Sequence, residues 1–317
     1  MNLSIIIPNY NGEDLLKKNL PLVLKSVKEY KKGNIEIIIP DDPSIDNSGE
    51  VIKDFIANIT QKNITGKTVS NNDIKEAGFS KNVNRGVVLA TGDILILLNS
   101  DVVPHEDFLD ALLPHFTDPE VFAVGCMDES IENDQKILRG RGIGKWDKGF
   151  LLHARGSVDR DNTLWAGGGS SAYSKKIWDK IGGLEELYNP FYWEDIDLSY
   201  RALKAGYKII FEKKSIVVHE HEKGAINTTV NKSKIKKIAY RNQFFFVWLN
   251  ITDKELLLSH ILYLPYHLLT FLLRKDWYFY FGFFFALLKI NKILEKRKKY
   301  TKLFTKTDKE ILVEFKV

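Results

Sequence analysis

The sequence predicts an α/β fold with a mostly parallel central sheet, followed by a helical C-terminal appendage that associates with a membrane. Three observations carry this. Short β-branched runs alternate with amphipathic helical stretches through residues 1–222. One run, residues 93–98, is almost pure Ile and Leu, as a strand buried on both faces requires. The texture then changes: residues 1–222 carry 27 Lys+Arg against 34 Asp+Glu, and residues 223–317 carry 19 against 7.

Taken in order, residues 3–7 predict the first strand, ending at Pro8-Asn9-Tyr10-Asn11-Gly12, and residues 13–30 a helix interrupted at Pro21. Residues 35–39 predict a second strand, closed by Pro40-Asp41-Asp42-Pro43-Ser44. Val51, Ile52, Phe55, Ile56 and Ile59 recur at helical spacing, residues 66–70 form a short third strand, and residues 80–90 a helix leading to the strand at 93–98. Beyond it come a strand at 121–125, a Gly-punctuated stretch at 140–169, and helices at 174–181 and 196–205, the second stopped by Gly206. Strands at 207–211 and 216–218 follow, with no internal repeat or low-complexity linker.

The composition of the 317 residues, 44% hydrophobic and 12% aromatic, excludes disorder, collagen and a disulfide scaffold. Cys126 is the only cysteine and no apolar leader opens the chain, so a reducing, cytosol-facing location is expected. In the tail, residues 255–273 form an apolar stretch broken by Pro265, residues 277–288 carry no charge, and residues 289–302 set seven Lys or Arg against one Glu. This pattern predicts helices lying on an anionic membrane, with Trp and Tyr at headgroup depth. The alternatives are buried helices beside a solvated basic one, a true membrane span, for which the first stretch is marginal and the second short, or a homodimer contact. Nucleic acid is not expected, because the aromatic run is uncharged.

Ligands of an open parallel sheet sit beyond the carboxyl ends of its strands. There the chain offers Pro8-Asn9-Tyr10-Asn11, Asp41-Asp42 and Asn99-Ser100-Asp101. Neither a dinucleotide glycine fingerprint nor a P-loop is present, so a nucleotide phosphate would be held through a cation. Asp101 with Asn99 suits Mg2+ or Mn2+ that takes its other ligands from phosphates and water. Gly168, within Gly167-Gly168-Gly169-Ser170-Ser171, reads either as close backbone approach to a ligand or as a plain turn. Glu194 and Asp195, expected just before regular helix, can project into the crevice, where crowded carboxylates favour a general base. Asp197 and Arg201, at i,i+4, are expected to pair on the helix surface. His219 at a strand end is a candidate cation ligand, with His221 a second.

In order and spacing these pieces, together with Gly78–Gly86, Thr91-Gly92-Asp93, Gly182–Glu186 and Tyr192–Leu198, resemble the inverting family-2 glycosyltransferases of GT-A fold, especially their rhamnosyltransferase-like branch. The resemblance covers residues 1–222 as the catalytic domain, leaving 223–317 as the basic, aromatic-rich helical region. It implies transfer from a nucleotide-diphospho-sugar to a glycan or lipid-linked acceptor, at the inner face of the cell membrane. It further implies that Pro8, Tyr10 and an aspartate of Asp41-Asp42 line the base pocket, with Asn84 in the helix that closes it. Asp101 and His219 would hold the metal, and Asp195 would be the base. Asn99 replaces the first acidic residue of the family's metal motif, and Pro43 stands where Gly or Asn is usual. A catalytically silent scaffold of the same fold is the competing reading, and a sugar-1-phosphate nucleotidyltransferase a weaker one, since no Arg or Lys follows the first strand.

Overall fold

The structure, a computed structural model, describes residues 1–132, 135–219 and 231–315. Strand β1 (Leu3–Ile6) runs parallel to β2 (Ile35–Asp41), which pairs in parallel with β3 (Ile64–Ser70) at one sheet edge. On its other side β1 is parallel to β4 (Ile94–Leu98). Then come β5 (Val102–Pro104), β6 (Val121–Glu132), β7 (Gln135–Arg139), the separate hairpin of β8 (Gly142–Asp147) and β9 (Phe150–Arg155), β10 (Ser170–Ser174) and β11 (Lys208–His219). The main sheet is ordered β3-β2-β1-β4-β10-β6-β11-β5, with β7 beside β6. β10 is antiparallel to both neighbours, whereas β6 and β11 are parallel. The sheet is therefore mixed: the run β3-β2-β1-β4 and the pair β6-β11 are parallel, as expected, and the other four pairs are antiparallel.

Alternation along the strands sorts side chains into two cores. Leu3, Ile5, Ile37, Ile39, Ile94 and Ile96 pack on one face, against Leu16, Leu20 and Val23 of α1 (Glu13–Val27) and Ile52 of α2 (Ser48–Ala57). Ile6, Ile38, Leu95 and Leu97 face the other way. There they meet Val83 and Val87 of α3 (Phe79–Val88), and α4 (Phe108–Leu112) returns to the first face. Both faces are covered, which is why these strands read as unbroken apolar runs.

The second core continues through α5 (Lys175–Ile181) and α6 (Glu194–Lys204) into the C-terminal helices α7 (Lys232–Asn250), α8 (Lys254–Leu273), α9 (Trp277–Leu287), α10 (Ile290–Tyr300) and α11 (Asp308–Glu314). Phe244, Phe245, Phe246, Phe279, Ile293 and Leu312 lie in the same cluster as Trp193 and Tyr200. The C-terminal region thus shares its core with the α/β part. A fully buried ion pair reinforces the junction: Lys204 Nζ lies 2.9 Å from Asp308 Oδ1, and the other oxygen of Asp308 accepts the Thr252 and Asp253 N–H groups. By contrast α8, the one described helix long and apolar enough to cross a membrane, has only 6% of its most apolar window buried.

Several expectations change. Pro21 and Pro265 lie inside continuous helices, each of which gives up one backbone bond at its proline without ending there. The stretch at 140–169 contains a hairpin closed by Lys148 and Gly149, both at positive φ as a type I′ turn demands. The two late strands are one strand with a register shift between Glu212 and Ile216. Asp197 and Arg201 do pair, at 2.7 Å, but completely buried, because α7 covers that face of α6. His221 and the junction at 222 lie outside the described residues.

Candidate active site

Register brings the first two polar clusters together. β1 and β2 remain in parallel pairing through an Asn9–Asp41 bridge, so the residues after each strand emerge side by side. Asn9 Nδ2 donates to Asp41 Oδ1 at 2.7 Å, and the Ser44 hydroxyl donates to the same oxygen at 2.7 Å. Burial pushes the Asp41 carboxyl above its ordinary range, against these two hydrogen bonds. Asp42 is held separately, accepting from the Gly78 N–H at 2.8 Å and from Arg85 at 3.2 Å. Tyr10 stands exposed beside them and Pro8 is half-buried. Gly12 is required there, since a Cβ would come within 2.2 Å of Asn9 Oδ1.

Two expected pocket residues spend their polar groups elsewhere. Asn11, at φ 49, accepts the Ile45 N–H at 2.7 Å and so fastens the loop after β2. Asn84 donates to the Leu184 carbonyl at 2.8 Å and accepts that residue's N–H, tying α3 to the segment before α6. The side chain of α3 that reaches the strand ends is Asn82, buried and donating to the carbonyls of Asn9 and Pro40. Asn82 and Arg85 were legible only as polar residues on an amphipathic helix, with nothing in their spacing to single them out.

Asp101 lies in the turn between β4 and β5, Asp128 within β6, and His219 at the end of β11. His219 pairs with Val102 across β11 and β5 and with Ser130 across β11 and β6. Its Nε2 lies 3.3 Å from Asp101 Oδ2, and its Nδ1 lies 3.0 Å from Asp128 Oδ2. Burial works against the imidazolium, but the two carboxylates prevail and its pKa is pushed up to about 9. A carboxylate and an imidazole converging, with a second carboxylate orienting the far ring nitrogen, is the donor set of a divalent cation site. Among the described residues no three such side chains form a ready cage, so the remaining ligands would come from phosphate and water. Asp128 was missed, because nothing in the sequence ties it to His219.

The last cluster opens α6. Glu194 and Asp195 are the first two helical residues, the helix starting two residues earlier than expected. Before them Tyr192 and Trp193 both hold left-handed backbone, at φ 71 and 76, which costs a non-glycine residue about 1–2 kcal/mol. Asp195 accepts the N–H of Ile196 at 2.8 Å and that of Gly168 at 3.3 Å. Burial raises its pKa, with those two bonds opposing. Glu194 is buried, its Oε2 has no partner, and burial followed by the Asp195 charge drives its pKa up. Residues 167–169 join this cluster to the metal candidates: the Gly169 carbonyl accepts the Asn99 N–H at 2.9 Å, and a Cβ on Gly169 would lie 2.6 Å from Asn99 Nδ2. The turn at 99–101 is anchored on its far side by Asn19, which donates to the Ser100 carbonyl at 2.8 Å.

The chain is 23% identical over 225 residues to the O-antigen chain rhamnosyltransferase RfbN of Salmonella typhimurium, covering 70% of this chain and 67% of that one. It is 28% identical over 144 residues to the GalNAc(5)-diNAcBac-PP-undecaprenol beta-1,3-glucosyltransferase of Campylobacter jejuni, covering 45% of this chain and 44% of the relative. Among solved structures, GalNAc-T7 with UDP, GalNAc and Mn2+ superposes with a TM-score of 0.62 at 18% identity, over 80% of this chain and 48% of that one. The fold is therefore the GT-A fold with added C-terminal helices. The profile described as Glycosyl transferase family 2 matches residues 4–182, and that described as Glycosyl transferase family group 2 matches residues 94–293. With more than half its length matched, and its polar strand ends gathered along one sheet edge, the chain belongs to glycosyl transferase family 2.

Proposed function

We propose that the chain is an inverting glycosyltransferase of the rhamnosyltransferase-like branch. It moves a hexosyl or deoxyhexosyl group from a nucleotide-diphospho-sugar to a hydroxyl of a lipid-linked glycan in bacterial surface polysaccharide synthesis. One observation carries the reading: residues 167–169 hydrogen-bond the Asn99 turn beside Asp101 at one end and Asp195 at the other. An in-line displacement needs leaving group and base on opposite sides of the anomeric carbon, and a glycine loop between them leaves room for a sugar.

Pro8, Tyr10 and the Asp41-Asp42 pair receive the base and ribose, with Asn11 and Asn82 fixing the loops around them. Asp101 and His219 are the residues that would hold Mg2+ or Mn2+, which when bound neutralises charge on the departing diphosphate. Asp195 takes the proton of the acceptor hydroxyl as that oxygen attacks the anomeric carbon, and the bond to the diphosphate oxygen breaks on the opposite face, inverting the configuration. Glu194, buried with its pKa raised, stays protonated beside it and leaves Asp195 as the charged member of the pair.

The C-terminal region supports a peripheral position on the inner face of the cell membrane. Leu258, Ile261, Leu262, Leu269 and Leu273 of α8 are exposed, as are Trp277, Phe281 and Phe284 of α9, and the basic α10 follows them. The glucosyltransferase relative's name refers to an undecaprenol-linked glycan, in keeping with a lipid-linked acceptor. The test is a screen of UDP-, GDP- and dTDP-sugars for nucleoside diphosphate release with and without divalent cation, with product configuration read by NMR. Retention would overturn inversion, and nucleotide binding without release from any donor would favour the silent scaffold.

A further inference from the structure

The strained turn before Glu194 has no glycine to relax it and no capping side chain at its helix N-terminus. It is held from outside, by α7. Asn242 is completely buried, and its Nδ2 donates to the carbonyls of Tyr192 at 2.8 Å, Phe191 at 3.0 Å and Tyr188 at 3.3 Å. Arg241 adds donations to the carbonyls of Asn189 at 2.7 Å and Tyr188 at 3.1 Å, and its Nε fixes Asn242 Oδ1 at 2.9 Å. Eight residues farther along the same helix Asn250 Nδ2 donates to Asp197 at 2.7 Å. One helix therefore grips the segment on both sides of the carboxylate pair.

Asp195 has little of its own to hold it. Beyond a bond from the adjacent N–H, the hydrogen bond it accepts from outside α6, among the described residues, is the 3.3 Å approach of the Gly168 N–H, so its direction follows from the backbone that enters the helix. We infer that Asn242, seconded by Arg241, is a positioning residue for transfer: it keeps Tyr192 and Trp193 in left-handed backbone so that Asp195 meets the acceptor hydroxyl. The inference rests on Asp195 being the base. Neither Asn242 nor Arg241 bonds the donor-side cluster of Asn9, Asp41 and Asp42, which α3 and the loop after β2 organise.

The decisive variant is Asn242→Leu, of similar size but without the amide. Its kcat for transfer should fall roughly 10- to 100-fold, the usual result of misplacing a catalytic group by about 1 Å, while the KM for donor and the Kd for UDP or GDP stay within about twofold. Adding Tyr192→Gly, which accepts positive φ without strain, should recover several-fold of the lost kcat; mere core packing by Asn242 would not be rescued this way. Amide exchange at residues 192–195 should quicken in Asn242→Leu, with β1 and β2 unchanged. If Asn242→Leu does not fold, Arg241→Gln should show the same split between kcat and KM at smaller amplitude. Normal kcat in the folded variants, or no recovery with Tyr192→Gly, would overturn the inference. Should the wild type turn over no donor, the reading of Asp195 fails on its own, and unchanged exchange at 192–195 would still overturn the positioning role.

Discussion

Replacing Asp195 with Asn separates catalysis from stability. The substitution keeps the side-chain volume and the 2.8 Å bond from the Ile196 N–H, and gives up the 3.3 Å bond from Gly168 together with the charge. Losing a general base should slow transfer by at least ~100-fold, equivalent to about 2.7 kcal/mol at 1.36 kcal/mol per decade. Stability should move the other way. Burial raises the folded pKa of Asp195 above its ordinary value, so as pH climbs the unfolded chain ionises this group first and the folded state loses stability. The stability is fully present below about pH 3.9, the unperturbed carboxylate value, and is forfeited as pH rises through the folded pKa. Against this relief stands the lost Gly168 bond, about 1 kcal/mol at most for so long a contact. Asp195→Asn should therefore melt at or above the wild-type temperature at neutral pH, with the difference closing toward pH 4, and should bind nucleotide normally. Transfer kinetics, nucleotide calorimetry and melts across pH check this. Should Glu194→Gln prove more damaging to transfer than Asp195→Asn, the base has been assigned to the wrong carboxylate.

Chelation should abolish turnover, Mn2+ or Mg2+ should restore it, and Asp101→Ala should weaken nucleoside diphosphate binding in the presence of either cation; full activity in chelator would remove the metal role from both Asp101 and His219. Arg201→Met leaves Asp197 as a buried charge and strips a donor from the Ile181 and Gly183 carbonyls, so urea unfolding should show a loss of about 3–5 kcal/mol, and a loss under ~1 kcal/mol would contradict a stabilising role for this buried pair. In flotation assays the chain should bind anionic vesicles more than neutral ones and release with salt, each basic residue near the surface contributing roughly 1 kcal/mol. Leu262→Ser, Leu273→Ser and Trp277→Ser combined should weaken that binding without lowering the melting temperature by more than ~2 °C, since all three side chains are exposed.

The order of elements was readable because apolar runs and helical spacing report local burial. The register of β1 and β2 is equally plain once Asp41 and Asn9 are seen to end adjacent parallel strands. What escaped was long-range. Asp128 looks like any strand residue until β6 and β11 pair, and Asn242 like any polar helix residue until its amide meets the turn at 192. Charge asymmetry set residues 223–317 apart from residues 1–222. In the structure Phe279, Ile293 and Leu312 belong to the core shared with the α/β part, and Asp308 carries the counter-charge of Lys204. Net charge reports the solvated surface, and shared burial is invisible to it.

The Lys204–Asp308 pair also bears on how the protein is made. Both side chains are fully buried, and 104 positions separate them in the chain. During synthesis, α6 emerges from the ribosome long before Asp308, so for that interval Lys204 has no carboxylate to neutralise it and cannot be buried at acceptable cost. The helix that opens with Glu194 and Asp195 must therefore wait, loosely packed, for residue 308 to be made. Ribosome-bound intermediates lacking residue 308 should be protease-sensitive around α6 while β1 to β4 are already protected, so the segment carrying Glu194 and Asp195 becomes fixed only after α11 has been made.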